Sequence, residues 1–287
     1  MILDGQWVAE QWKAAMEQSE YFSLDRNTPE QAMRHWDMLS QDFDSALGGD
    51  VRRAELVAGM LADKGALDSD TVALDVGCGT GTFVMELAKT CRHVYALDYS
   101  AGMLAKLREK LERQGIENVT TLQCDWNKLD PADLQETITL SISCLNTGMR
   151  DRDSLVKMHG VTKGTCCYIT SAGAARAKNR NELQELVFGR TLRNAGGGDV
   201  IYPLLILYAM GCYPELSYVP CSWRRTLREE DALSRMVRDF ERYMPVGAET
   251  RAKLAAYVHG KLDDQGMYTE SMQSRLGVVI WKTAAGN

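Results

Sequence analysis

No window of this sequence holds the eighteen or so consecutive apolar residues that a membrane-spanning helix needs, so no membrane partner is expected. The opening residues, Met1 to Trp7, lack the charged and apolar blocks of a secretory leader, and the expected location is the cytoplasm. A dense Lys/Arg cluster is also missing. The 33 basic residues are outweighed by 39 acidic ones, for a net charge of −6. Binding a phosphate backbone favours a basic footprint, so a nucleic-acid partner is disfavoured. No two of the eight cysteines have the two-residue spacing of zinc and redox motifs. Cys78, Cys91, Cys124, Cys144, Cys166 and Cys167 fall in or beside predicted core elements and read as buried free thiols, with no metal expected. His35, His159 and His259 stand alone, without partners at motif spacing, so no catalytic base is assigned. Internal repeats and low-complexity tracts are absent.

The sequence does have an apolar content of 45% over 287 residues, enough for a large core in one or two domains. The first seventy residues read as helices. Val8, Trp12, Ala15 and Met16 recur at helical spacing. Thr28-Pro29-Glu30-Gln31 is a capping box ahead of Ala32, Met33, Trp36, Leu39 and Phe43. A third helix runs from about Asp50 to Lys64 and stops at Gly65. The aromatic residues here either pack against the next region or roof a pocket.

From Thr71 the rhythm becomes strand–helix–strand. Strands are predicted at Thr71–Val76, His93–Asp98, Val119–Cys124, Ile138–Cys144 and Thr165–Thr170, with helices at Thr82–Lys89, Gly102–Gln114 and Asp153–His159. Such alternation implies a doubly wound, mostly parallel sheet that binds ligands at the carboxyl ends of its strands. After Ser171 the rhythm breaks. A polar helix leads to Gly196-Gly197-Gly198, read as a flexible joint, and then to an apolar stretch, Ile201 to Met210. A strand at Leu216–Trp223, a capping box at Thr226-Leu227-Arg228-Glu229, two helices and a closing strand at Arg275–Lys282 complete the prediction.

The chemistry converges on one turn. An apolar strand enters Asp75-Val76-Gly77-Cys78-Gly79-Thr80-Gly81, and a helix leaves it. Glycines at such a turn let the main chain approach a ligand closely. Asp98 ends the next strand, where a ribose hydroxyl pair would lie, and Asp125 ends the one after, so three strands deliver carboxylates to one sheet edge. A phosphate-bearing ligand would want anion-binding groups instead, and Asp75 is poorly placed for that.

These residues resemble the class I S-adenosylmethionine-dependent methyltransferases of the type 11/25 kind, in their small-molecule branch. Asp75 to Gly81 resembles the first motif, Ala96-Leu97-Asp98-Tyr99-Ser100-Ala101-Gly102-Met103-Leu104 the second, and Cys124-Asp125-Trp126 the third. The resemblance covers roughly Val72 to Ser171. It implies a Rossmann-like α/β fold: a doubly wound, seven-stranded, mostly parallel sheet with N-terminal and C-terminal helical lid additions. It implies S-adenosylmethionine as cofactor and S-adenosylhomocysteine as product. Asp75 would hold the methionine amino group beside the backbone at Gly77, Cys78, Gly79 and Gly81. Asp98 would bind the ribose, Tyr99 and Met103 would flank the adenine, Asp125 would face its amino group and Trp126 would stack on it. Cys144 and Asn146 would border the reacting methyl group. Ser143-Cys144-Leu145-Asn146-Thr147 departs from the Asn/Asp-Pro-Pro-aromatic signature of relatives that methylate nucleic-acid and protein amino groups.

The expected organisation is one integrated domain: a helical cap over 1–70, a cofactor-binding core over 71–173, and substrate or lid insertions with the last two strands over 174–287. Candidate substrate-pocket residues are Tyr21, Trp36, Asn146, Tyr202 and Tyr208. The expected function is methyl transfer to a small-molecule acceptor. The alternatives are a protein or RNA methyltransferase and a non-catalytic cofactor-binding regulator.

Overall fold

The computed structural model describes residues 3–20, 29–41, 43–46, 51–134, 136–173, 176–177, 179–241 and 243–283. The sheet strands are β1 (Val72–Val76), β2 (His93–Asp98), β3 (Val119–Gln123), β4 (Leu140–Cys144), β5 (Thr165–Ser171), the two-residue β6 (Arg176–Ala177), β7 (Glu215–Arg228) and β8 (Met267–Lys282). Their order is β3-β2-β1-β4-β5-β8-β6, with β7 also paired to β8. The first five run parallel, and β8 pairs antiparallel with β5, β6 and β7. Every residue of β1 is buried, as a central strand covered on both faces requires.

One face of the sheet is covered by α4 (Val51–Asp63), α5 (Thr82–Leu87) and α6 (Ala101–Gln114), through Val57, Leu61, Val84, Leu104 and Leu107 among others. The other face is covered by α1 (Gly5–Gln18), α7 (Arg152–Val161) and α9 (Ile201–Ala209), through Val8, Trp12, Leu155, Met158, Ile206 and Leu207. Two further helices, α2 (Pro29–Leu39) and α3 (Phe43–Ala46), lie over the carboxyl end of the sheet, and the predicted cap at Thr28 lies outside the described residues. Helix α6 shows why it starts and stops where it does. The Ser100 hydroxyl accepts from the Met103 amide at its start, and Gly115 takes a left-handed conformation at its end.

The chain's second half differs from the pattern read in sequence. β7 and β8 pair along their whole length, from Glu215↔Ile280 out to Arg228↔Met267. Their outer halves carry a small core of their own with α8 (Arg180–Phe188), α10 (Glu229–Glu241) and α11 (Ala248–His259), centred on Met236, Phe240, Leu254 and Tyr268. The alternation of Arg225, Leu227 and Glu270 with polar neighbours hides these strand halves from a hydrophobicity scan. Arg225 and Arg235 meet Glu270 at 2.8 and 3.3 Å, beneath the helices. Thr226 therefore does not cap a helix; its hydroxyl sits 3.1 Å from that of Thr269 across the strand pair, and α10 begins at Glu229. Gly197 is no free joint either. It is buried, its carbonyl accepts from Trp12 Nε1 at 2.7 Å, and a Cβ there would lie 2.7 Å from Met16 Sδ.

Candidate active site

The carboxyl ends of β1, β2 and β4 open into a cavity of about 110 Å³. Its floor is the glycine turn. Gly77 and Gly79 adopt φ of +74° and +55°, where a side chain is disfavoured. The amides of Gly77 and Cys78 both donate to the Leu97 carbonyl, which fixes the turn against β2. Asn146 locks it from the other side, its Nδ2 donating to the Val76 carbonyl at 3.0 Å while its Oδ1 accepts from the Gly148 amide. A Cβ on Gly77 would lie 2.5 Å from Asn146 Nδ2, so this glycine is demanded by packing as well as by conformation.

Asp98 bridges the turn and the next helix. Its Oδ2 accepts from the Gly79 amide at 2.8 Å and its Oδ1 from the Ser100 amide at 2.9 Å. Burial raises its carboxyl above the ordinary range, opposed by these amide hydrogen bonds. Asp75 is different. It is 2% exposed, and its carboxyl makes no hydrogen bond among the described residues. Burial, helped by the Asp98 charge, pushes it up to about 8. A buried carboxylate without a partner is costly, and a cationic ligand would relieve the cost. Burial and the two neighbouring carboxylates push the Cys78 thiol well above its ordinary value.

Two aromatic residues from the N-terminal segment, Trp36 and Phe43, line the cavity with their rings edge to face at 6.2 Å. Two carboxylates hold this segment down. Asp37 accepts from the Ser100 hydroxyl and from the Gly102 amide, at the start of α6. Asp44 accepts from Thr80 Oγ1 and pairs with Lys110 at 2.6 Å. A Cβ on Gly102 would lie 3.1 Å from the Asp37 main chain, so this glycine permits the close approach.

Residues 73–164 match the family described as Methyltransferase domain. That stretch, about a third of the chain, is similar to a methyltransferase domain. The chain is also 31% identical to an uncharacterized protein of Haemophilus influenzae over 155 residues, 53% of this chain and 55% of that one. It is 42% identical over 52 residues to a probable cobalt-precorrin-6B C(15)-methyltransferase (decarboxylating) of Methanocaldococcus jannaschii, covering 18% of this chain and 28% of that one. Over 71 residues it is 37% identical to the 23S rRNA (uracil(1939)-C(5))-methyltransferase RlmD of Xanthomonas campestris, covering 25% and 16% respectively. The matched region thus spans about half or less of each relative's length.

Within the methyltransferase domain the structure gathers Asp75, Gly77, Cys78, Gly79, Asp98, Tyr99, Met103, Cys144 and Asn146 around one cavity, and Trp36 joins them from α2. Other predicted residues go elsewhere. Gly81 is buried at the start of α5 with φ of +87°, where a Cβ would lie 2.3 Å from Leu107 Cδ1, so it serves helix packing. Asp125 accepts from the Asn127 amide and starts a short 3-10 turn rather than lining the cavity. Trp126 is 3% exposed in the core on the α7 face. Its Nε1 donates to the Ser154 carbonyl, and the Lys157 ammonium lies 4.8 Å from its ring centroid. An adenine ring therefore has no access to it.

Tyr202 stacks parallel to Trp12 at 6.0 Å on that same face, and Tyr208 is 55% exposed against Tyr213. Neither meets the cavity, because α9 packs on the side of the sheet opposite α4 and α5. Tyr21 lies outside the described residues. The cavity also takes in Arg53, Phe43, Leu145 and Thr147, which motif reading did not single out. Leu145 holds a φ of +52°, uncommon for a residue with a branched side chain, at the exit of β4.

Asp98→Ala removes the acceptor of both amides and leaves them unpaired in a part-buried turn. The expected result is a loss of about 1–3 kcal/mol in affinity for S-adenosylhomocysteine, measured by calorimetry. Unchanged affinity would count against the expected ribose contact of Asp98.

Proposed function

We propose that this chain transfers a methyl group from S-adenosylmethionine to a small-molecule acceptor. The observation that carries the reading is the unpartnered, buried Asp75 beside Asp98 and the Gly77–Gly79 backbone in one cavity. Each part suits one end of the cofactor. Asp75 receives an ammonium, and Asp98 has lone pairs left for a ribose diol. Tyr99 and Met103 offer half-buried and buried flanks for a flat base.

The bound cofactor supplies an electrophilic methyl on a sulfonium, displaced in line by the acceptor atom. The chain's own work is to orient and to exclude water. Asp75 and Asp98 fix the two ends of the ligand, which sets the direction of attack. Trp36 and Phe43 line the cavity, and aromatic rings beside the reacting centre tolerate the spreading positive charge.

An RNA acceptor is the second reading, supported by the likeness to the RlmD enzyme of Xanthomonas campestris over 71 residues. A net charge of −6 favours an acceptor without a phosphate backbone instead. Incubation with methyl-labelled S-adenosylmethionine and three separate fractions, low-mass metabolites, total RNA and protein, is expected to label the first. Label in RNA would overturn the small-molecule reading. Label in none, with cofactor still bound, would make the chain a binding protein.

A further inference from the structure

The cavity contains a second buried charge that the motifs do not explain. Arg53 lies near the start of α4, is 8% exposed, and lines the same cavity as Asp75. Among the described residues its one hydrogen-bond contact is a weak one, Nη1 to the Cys221 sulfur at 3.7 Å. Its Nε is buried and has no partner, and no carboxylate pairs with the guanidinium among the described residues. An arginine cannot shed its proton, so an unpaired, desolvated guanidinium is more costly than an unpaired acid, which can neutralise itself.

Arg53 and Asp75 do not satisfy each other. The charge that bears on Asp75 is that of Asp98, which raises it further. One cavity thus holds a lone cation and a lone acid at separate points on its wall. A planar guanidinium matches a carboxylate through two parallel hydrogen bonds. We infer that Arg53 is the carboxylate-binding residue of this cavity. Resting on the proposed cofactor, the first source of that carboxylate is the amino-acid end of the cofactor itself, whose ammonium goes to Asp75. The second source is an acidic acceptor. Arg53 is also the sole cation among the described residues at this cavity, so it serves one carboxylate at a time.

The test uses the whole chain and its Arg53→Gln and Arg53→Lys variants, with affinities for S-adenosylhomocysteine and for 5′-methylthioadenosine, which lacks the amino-acid end. The expected result is a loss of at least tenfold for S-adenosylhomocysteine in Arg53→Gln, a smaller loss in Arg53→Lys, and no change for 5′-methylthioadenosine. Should S-adenosylhomocysteine affinity hold, the acceptor arm decides. Benzoate and pyruvate are then expected to raise the melting temperature of the S-adenosylhomocysteine-saturated wild type, and not that of Arg53→Gln. If neither arm depends on Arg53, or if both nucleosides weaken equally in Arg53→Gln, the inference is overturned. A wild type that binds neither nucleoside instead defeats the cofactor assignment, which is a different failure.

Discussion

Asp75→Asn is expected to lose S-adenosylhomocysteine binding while making the protein harder to melt. Removing one partner of a buried charge pair costs about 2–5 kcal/mol, so affinity falls roughly thirtyfold or more. Stability moves the other way. The Asp75 carboxyl is raised from an ordinary 3.8 to about 8 in the folded chain, so between those values the folded state holds a proton that the unfolded state has lost. Stability of the wild type therefore declines as pH rises through that window, at up to about 1.4 kcal/mol per pH unit. Asparagine keeps the shape and carries no such penalty.

The two unfolding curves should meet near pH 4 and diverge up to about pH 8, with the variant higher by several degrees. The same titration governs binding. Because the proposed ammonium contact needs the ionised form, wild-type affinity should rise about tenfold between pH 6 and 7. Thermal unfolding at pH 4.5, 6 and 8, paired with calorimetry, checks both. A variant that melts lower at every pH would show that Asp75 is structural.

Gly81→Ala is expected to lower the melting temperature by roughly 5–15 °C and to leave cofactor-product affinity intact below the transition. A left-handed conformation costs a side chain about 1–2 kcal/mol, and forcing a Cβ against Leu107 adds about 1–3. At about 2–4 °C per kcal/mol for a chain of this size the range follows. Leu107→Ala opens the space that the new methyl would occupy, so the double variant should melt higher than the two single losses add up to. Lost binding with an unchanged melting temperature would instead give Gly81 to the ligand.

These two positions mark the boundary between what periodicity reveals and what it hides. The parallel half of the sheet was legible because its central strands are mostly apolar and their helices carry single stripes. His93–Asp98 has the same bounds in both readings, and α6 differs from its prediction by one residue. The outer halves of β7 and β8 were not. There a covered ion cluster, Arg225, Arg235 and Glu270, takes the place of apolar residues, so burial no longer shows as hydrophobicity. Trp126 and Asp125 illustrate a different blindness. Both stand at the end of β3 in sequence, yet a short 3-10 turn sends one into the core and the other onto its own backbone.

Arg53 was readable in principle. It occupies the same helical stripe as Val57 and Leu61, four and eight residues on, and a charge on an apolar stripe needs a reason. Placing that reason in the cavity required the fold, because α4 reaches the glycine turn only through its packing on α5 and the sheet. Glycine spacing and apolar periodicity specify the turn, Asp75 and Asp98 beside it and the type of each element, because those patterns are local, whereas the strand order joins residues as far apart as Ala73 and Leu140. Which aromatic residues line the cavity, which glycine packs against a helix and which cation shares the cavity wall follow from the tertiary packing. Those choices rest on which face of the sheet each helix covers, and residues far apart in the chain settle that together.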